Sequence, residues 1–252
     1  MKNTMQRQGV SSFRQNIRLL ISKKRLFLDL YQYGVLFCAN FVGQEQIYDT
    51  RMLCRQWIWL KRFRHRRGYG VHSPFAFDFL TYVVYERGEY YAYRELKKRY
   101  PVVCLCGGLH RLKCRKFLFR LSNYVHPSLI RIYGHVKEAE TAYLAAGCRS
   151  AAVCQDLFWK VRVRENGGFV RQKELMIVGR GIAPRHWTAV VSRPSTRCSV
   201  CLLFGIRASK AALRAWNDVK RLPEAVVTFD LYDYGLVFYD RSKQRQDYIV
   251  NF

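Results

Sequence analysis

Acidic residues are scarce in this chain of 252 residues: 18 Asp and Glu stand against 44 Lys and Arg, a net charge of +26 at neutral pH. That balance sets the chain apart from a typical cytosolic enzyme and favours polyanions as partners, whether nucleic acid, anionic lipid or acidic substrates. The excess is uneven, at +11 over residues 1–67, +6 over 68–129 and +9 over 130–252. Long apolar runs are lacking as well. The run from Leu30 to Val42 is too short to span a bilayer and is broken by Gln32, Gly34 and Asn40. No small-residue cleavage site follows the basic residues before it. Neither a transmembrane segment nor a secretory signal is therefore expected, and the cytoplasm is the default location. A disulfide framework is missing too. Nine cysteines, an odd number scattered among apolar residues as at Cys38, Cys148 and Cys154, read as reduced and mostly buried thiols. Cys104, Cys106, His110 and Cys114 could supply four metal donors from one short segment, but their spacing matches no common zinc module. Cys198 and Cys201 fall in a strand-like run at a spacing that points them to opposite faces. No metal site is assigned.

What is present suffices for a core, since 50% of the residues are hydrophobic. Residues 1–51 read as a basic extension, with helical periodicity from Ser11 to Leu30 and Lys23, Lys24 and Arg25 on the polar side. Residues 52–101 read as a helical region. Leu53, Trp57, Ile58, Leu60 and Phe63 recur at helical spacing with Arg55, Lys61, Arg62 and Arg64 between them. Gly68 and Gly70 end that helix, and Ser73-Pro74 opens another, with Ser73 as N-cap and Phe75, Phe79, Val83 and Tyr82 on its apolar face. His72 just before the cap is a candidate base or ligand, but it has no partner at diagnostic spacing and reads as a hydrogen-bonded structural histidine. Glu89 to Tyr100 continues as a helix ended by Pro101. Its interleaved Tyr90, Tyr91, Tyr93 and Tyr100 with Arg94, Lys97, Lys98 and Arg99 suit either stacking on single-stranded nucleic acid or inward packing.

Residues 102–252 read as an α/β domain. A short β run over 102–106 is broken by Gly107-Gly108, and Leu112 to Val125 follows as an amphipathic helix. Strand-like Ser128 to Tyr133, helical His135 to Ala146, a Gly147 stop and strand-like Ser150 to Asp156 make one βαβ unit. Asn166-Gly167-Gly168 reads as a turn, Glu174 to Gly179 as a buried strand and Cys198 to Phe204 as the next. An antiparallel hairpin of Ala225 to Leu231 with Gly235 to Tyr239 and a closing strand within Asp247 to Phe252 complete the pattern.

Three of these stretches carry a resemblance. Tyr69-Gly70-Val71-His72-Ser73-Pro74-Phe75 is similar to the HGVHSPF signature of a group of bacterial class I S-adenosylmethionine-dependent methyltransferases. Phe117 to Pro127 resembles that family's helix leading into the nucleotide-binding half, and Ala215 to Tyr239 its late helix and final hairpin. The resemblance implies a class I methyltransferase-like, Rossmann-like sheet, mostly parallel with an antiparallel C-terminal hairpin. It implies S-adenosylmethionine as cofactor, held by the turn at Gly134 and by Asp156 at the end of the second strand. It names no methyl acceptor.

The chain departs from the family where chemistry would sit. His135, Val136 and Lys137 stand where the family has small residues, and Arg131 replaces the acidic residue of the first strand. A branched Val and a long Lys crowd the close backbone approach that a cofactor requires. Val178-Gly179-Arg180-Gly181 lacks the family's Asp-Gly pair, and Phe204-Gly205 with Arg207 replace a paired aspartate and histidine suited to metal binding or general-base work. These losses imply a family member whose activity has diverged or been lost, with no catalytic residue assigned. The alternative is a non-enzymatic module that binds RNA or another polyanion through residues 52–67 and 94–120.

Overall fold

Apolar runs of strand length alternate with amphipathic helices from Leu129 onward, and a computed structural model gathers the runs into one seven-stranded sheet. The structure describes residues 62, 71–102, 108–156, 173–192 and 199–252, with the side chain of Asp156 excepted. The basic extension, most of the 52–67 helix, Gly68 and Gly70, the core of the 102–106 β run, Cys104, Cys106, the Asn166-Gly167-Gly168 turn and Cys198 lie outside the described residues. All the described residues belong to one compact unit, Arg55–Phe252.

Helix α1, Pro74–Phe79, runs on through a π-helical turn, Leu80–Val84. Two helices follow, α2 (Tyr93–Arg99) and α3 (Gly108–Val125). The expected βαβ unit is present as β1 (Leu129–Tyr133), α4 (Glu138–Gly147) and β2 (Ala152–Asp156), with β1 and β2 parallel. Then come β3 (Glu174–Val178), α5 (Trp187–Val191), β4 (Val200–Phe204), α6 (Lys210–Arg221), β5 (Val227–Asp230), β6 (Tyr234–Phe238) and β7 (Gln246–Ile249). The order across the sheet is β2-β1-β3-β4-β6-β5-β7. Only β6 runs antiparallel, inserted between β4 and β5, while β7 adds in parallel beside β5. The fold is thus α/β, a mostly parallel sheet with the expected antiparallel hairpin, an arrangement compatible with a Rossmann-like fold.

Strands β3 and β4 are buried along their whole length because helices cover both faces. Alternation sorts their side chains into two cores. Leu175, Ile177, Val200, Leu202 and Phe204 meet Phe79, Leu80, Val83, Phe117 and Leu121 of α1, its π-turn and α3. Met176, Val178, Cys201 and Leu203 meet Trp187 and Val191 of α5 and Ala212, Trp216 and Val219 of α6. A third, smaller core joins Tyr93 and Leu96 of α2, Phe119 of α3 and Tyr143 of α4.

Several local expectations need correction. Tyr82 is exposed rather than part of the apolar face, because the π-turn adds a residue and rotates the helical phase just there. Ser73 stands at the N-cap position of α1, but its side chain makes no capping bond, and its carbonyl instead accepts from the Phe77 N–H. Gly108 is the first residue of α3 rather than a break before it. No helix among the described residues is long and apolar enough to cross a membrane.

Candidate functional site

In open α/β sheets, ligands bind outside the carboxyl ends of the parallel strands, and Gly134 follows β1 at that end. Its φ of +81° is one that only glycine adopts at little cost. His135 and Arg180 then face each other as an antiparallel bridge, each N–H donating to the other's carbonyl at 2.8 Å. The Gly179 N–H donates to the Tyr133 carbonyl at 2.8 Å. The turns after β1 and β3 are therefore laced together. A Cβ on Gly134 would meet the Arg180 carbonyl oxygen and Ile182 Cγ1, both at 2.8 Å, and one on Gly179 would meet the His135 carbonyl oxygen at 2.6 Å. These glycines admit the close approach of the chain's own backbone and of the Ile182 side chain.

The start of α4 is committed in the same way. A helix N-terminus offers unpaired N–H groups and a positive dipole end to an anion, and here Glu140 supplies that anion. Its Oε2 accepts from the Lys137 N–H at 3.1 Å. Both of its oxygens also accept from the Arg180 guanidinium, at 2.7 and 3.0 Å, a two-pronged carboxylate pair. The Glu140 bond raises the Arg180 pKa above its ordinary value. Arg180 lies over the Phe204 ring, 5.2 Å from its centre. Val136 turns inward and is buried, while Lys137 faces solvent. Sequence reasoning missed the Glu140–Arg180 pair. Half of its signal was available, since Glu140 stands three residues after the Lys137 N-cap, the spacing of a capping box.

Asp156 ends β2 in register with Tyr133 of β1, so its backbone lies at the same sheet end as Gly134. Gln155 of the same strand donates through Nε2 to the Gly134 carbonyl at 3.2 Å. The side of Gly134 on which a Cβ would stand is covered by the Arg180 carbonyl and Ile182, and the helix start carries its own carboxylate.

Arg207, just past β4, turns away from this turn toward β5. Its Nη2 pairs with Asp230 Oδ2 at 2.8 Å, and Arg62 Nη2 pairs with the other carboxylate oxygen at 2.8 Å. The Asp230 carboxylate also accepts from the Tyr232 N–H at 3.0 Å, and the Tyr232 ring lies under both guanidiniums. Burial alone would push the Asp230 carboxyl up, yet Arg62 and Arg207 together hold it below the usual carboxylate range. Arg62, expected on an exposed basic face, is almost fully buried because it makes this pair and reaches the Asp230 and Val250 carbonyls as well.

The second candidate surface lies on α2 and α3. His72, the candidate base of the opening loop, is exposed. The tyrosines pack inward: Tyr90, Tyr91 and Tyr93 all rest against Phe119, at ring distances of 5.2, 5.9 and 5.0 Å. Even the exposed Tyr91 donates its hydroxyl to the Ala146 carbonyl. The cations beside them face outward. Arg94, Lys97, Lys98 and Arg99 are exposed on α2. A groove of about 780 Å³ beside α3 is lined by Arg87, Lys113, Lys116 and Arg120, with Glu86 its one acid. No family model, curated protein or solved structure matches the chain.

Proposed function

We propose that the chain is a class I methyltransferase-like protein whose own residues fill the position that its resemblance assigns to S-adenosylmethionine, and that it works by binding RNA rather than by methyl transfer. The observation that carries this proposal is the lacing of the β1 and β3 turns through His135 and Arg180, with Glu140 on the same guanidinium. A parallel sheet closed by an antiparallel β5–β6 hairpin supports the methyltransferase-like scaffold. The net charge of +26 and the exposed cations of α2, with Arg87 and Lys113 at the α3 groove, support a polyanion as partner.

Calorimetric titration with S-adenosylmethionine tests the first half. The expected result is no binding tighter than about millimolar, near −4 kcal/mol, and a tighter complex refutes the filled site. Filter retention of single-stranded RNA tests the second. Affinity is expected to fall steeply with salt, by about one power of salt concentration for each phosphate neutralised. Replacing Lys97 and Lys98 by Ala is expected to lower that slope by about one for each phosphate that these lysines neutralise. RNA retention that is absent at low salt, or unchanged by salt, removes RNA as the partner.

A further inference from the structure

Helix α3 brings His110 and Cys114 onto one face, four residues apart, and the turn between β5 and β6 brings Asp233 against them. His110 Nε2 lies 2.8 Å from Asp233 Oδ2 and 3.1 Å from Cys114 Sγ, and the three donor atoms all fall within 4.8 Å of one another. Both contacts converge on the same ring nitrogen. A nucleophile–base–carboxylate relay needs the two different nitrogens of the imidazole, one for the thiol and one for the carboxylate. Three donors pointing at one spot make instead a ligand set.

We propose that His110, Cys114 and Asp233 form a binding site for a divalent transition-metal ion of the zinc class. One imidazole nitrogen, one thiolate sulfur and one carboxylate oxygen suit zinc and its cobalt substitute, whereas magnesium and calcium take oxygen donors. Tetrahedral bonds of zinc length separate neighbouring donors by about 3.5 Å. The two close contacts need to open by roughly half an ångström to admit the ion, a change within reach of side-chain rotation.

The surroundings suit such a site. Cys114 is buried, and Phe117, Tyr234 and Phe252 form an aromatic wall, with Phe117 5.7 Å from Tyr234 and 5.2 Å from Phe252 between ring centres. His110 and Asp233 keep side-chain exposures of 28% and 29%, so an ion can enter from solvent on their side. The hairpin turn is itself pinned. The Gly205 N–H donates to the Asp233 carbonyl at 2.7 Å, which ties Asp233 to the carboxyl end of β4. Binding converts the Cys114 thiol to a metal-bound thiolate and releases its proton to solvent.

Cobalt titration of the chelator-treated full chain tests the site, because a Co²⁺–thiolate bond gives a charge-transfer band in the near ultraviolet and a tetrahedral ion gives strong visible bands. One equivalent of Co²⁺ is expected to produce both, and Cys114→Ser is expected to abolish the charge-transfer band. The absence of that band in the unaltered chain, or its survival in Cys114→Ser, overturns the proposal, since the thiolate would then come from another cysteine. Asp233→Asn keeps the test independent of the buried Cys114. A loss of Co²⁺ affinity of about tenfold or more is expected there, and an unchanged affinity overturns the site.

Discussion

At the scale of the residue, Gly134 decides between a turn that receives a ligand and one that packs on itself. A side chain at φ +81° is strained by roughly 1–2 kcal/mol, and its Cβ would also run into the Arg180 carbonyl and Ile182. Gly134→Ala is therefore expected to destabilise the fold by about 2–4 kcal/mol. Urea unfolding is expected to show a lower midpoint with an unchanged slope. A midpoint equal to that of the unaltered chain would mean that the turn opens readily, contrary to the packing described above. The glycine itself was legible in the sequence, as the stop between a strand-like run and a helix. Its partners were not, because Arg180 and Ile182 are more than forty positions away and no local pattern couples them to it. Gly134 and Asp156 lie at one end of neighbouring strands, since a βαβ unit fixes that geometry. What fills the space between the turns depends on which long side chain happens to reach it.

At the scale of the element, the helix expected from the apolar spacing of Leu112 to Val125 is found within α3. Ser209 accepts from the Ala212 N–H at 3.0 Å and opens α6 as its N-cap. Departures arise where a polar residue has an internal task. Arg120 of α3 belongs by type to a solvated face, yet it is buried: its guanidinium donates to the Val83 carbonyl at 2.6 Å and to the Val84 carbonyl at 3.3 Å. Those carbonyls end the π-turn after α1 and would otherwise lack acceptor bonds. Arg115 does the same for the Tyr100 carbonyl at 2.8 Å, beyond the end of α2. Helix α3 thus uses part of its positive charge to close its neighbours' carboxyl ends, and the outward polyanion surface is smaller than a count of its cations suggests. The tyrosines of residues 90–100 follow the same logic in reverse, since the Phe119 ring offers them a buried face.

At the scale of the whole molecule, few carboxylates have to hold a chain that carries a net +26. Among the described residues the buried acids are tied to cations across the fold: Glu174 to Arg131 between β3 and β1, Glu140 to Arg180, and Asp230 to both Arg62 and Arg207. Asp230 binds the end of β5 to a residue 168 positions earlier. Its carboxyl is held below its unfolded value of about 3.9, so its contribution is fully present above that value and is lost as pH falls through the lower folded pKa. The stability of the unaltered chain is expected to decline as pH drops below about 4, where protonated Asp230 leaves two guanidiniums facing each other. Asp230→Asn puts that condition in place at every pH. It is expected to cost about 3–5 kcal/mol at neutral pH, because one partner of a buried ion pair has gone, and to flatten the acid limb of the curve. Added salt is expected to recover little of this loss, since the pair is shielded from solvent, although it relieves repulsion among the exposed cations. Urea midpoints measured between pH 3 and 7 for both chains check the prediction. An acid limb equally steep in Asp230→Asn would assign the acid sensitivity to other carboxylates and leave Arg62 and Arg207 held chiefly by their packing.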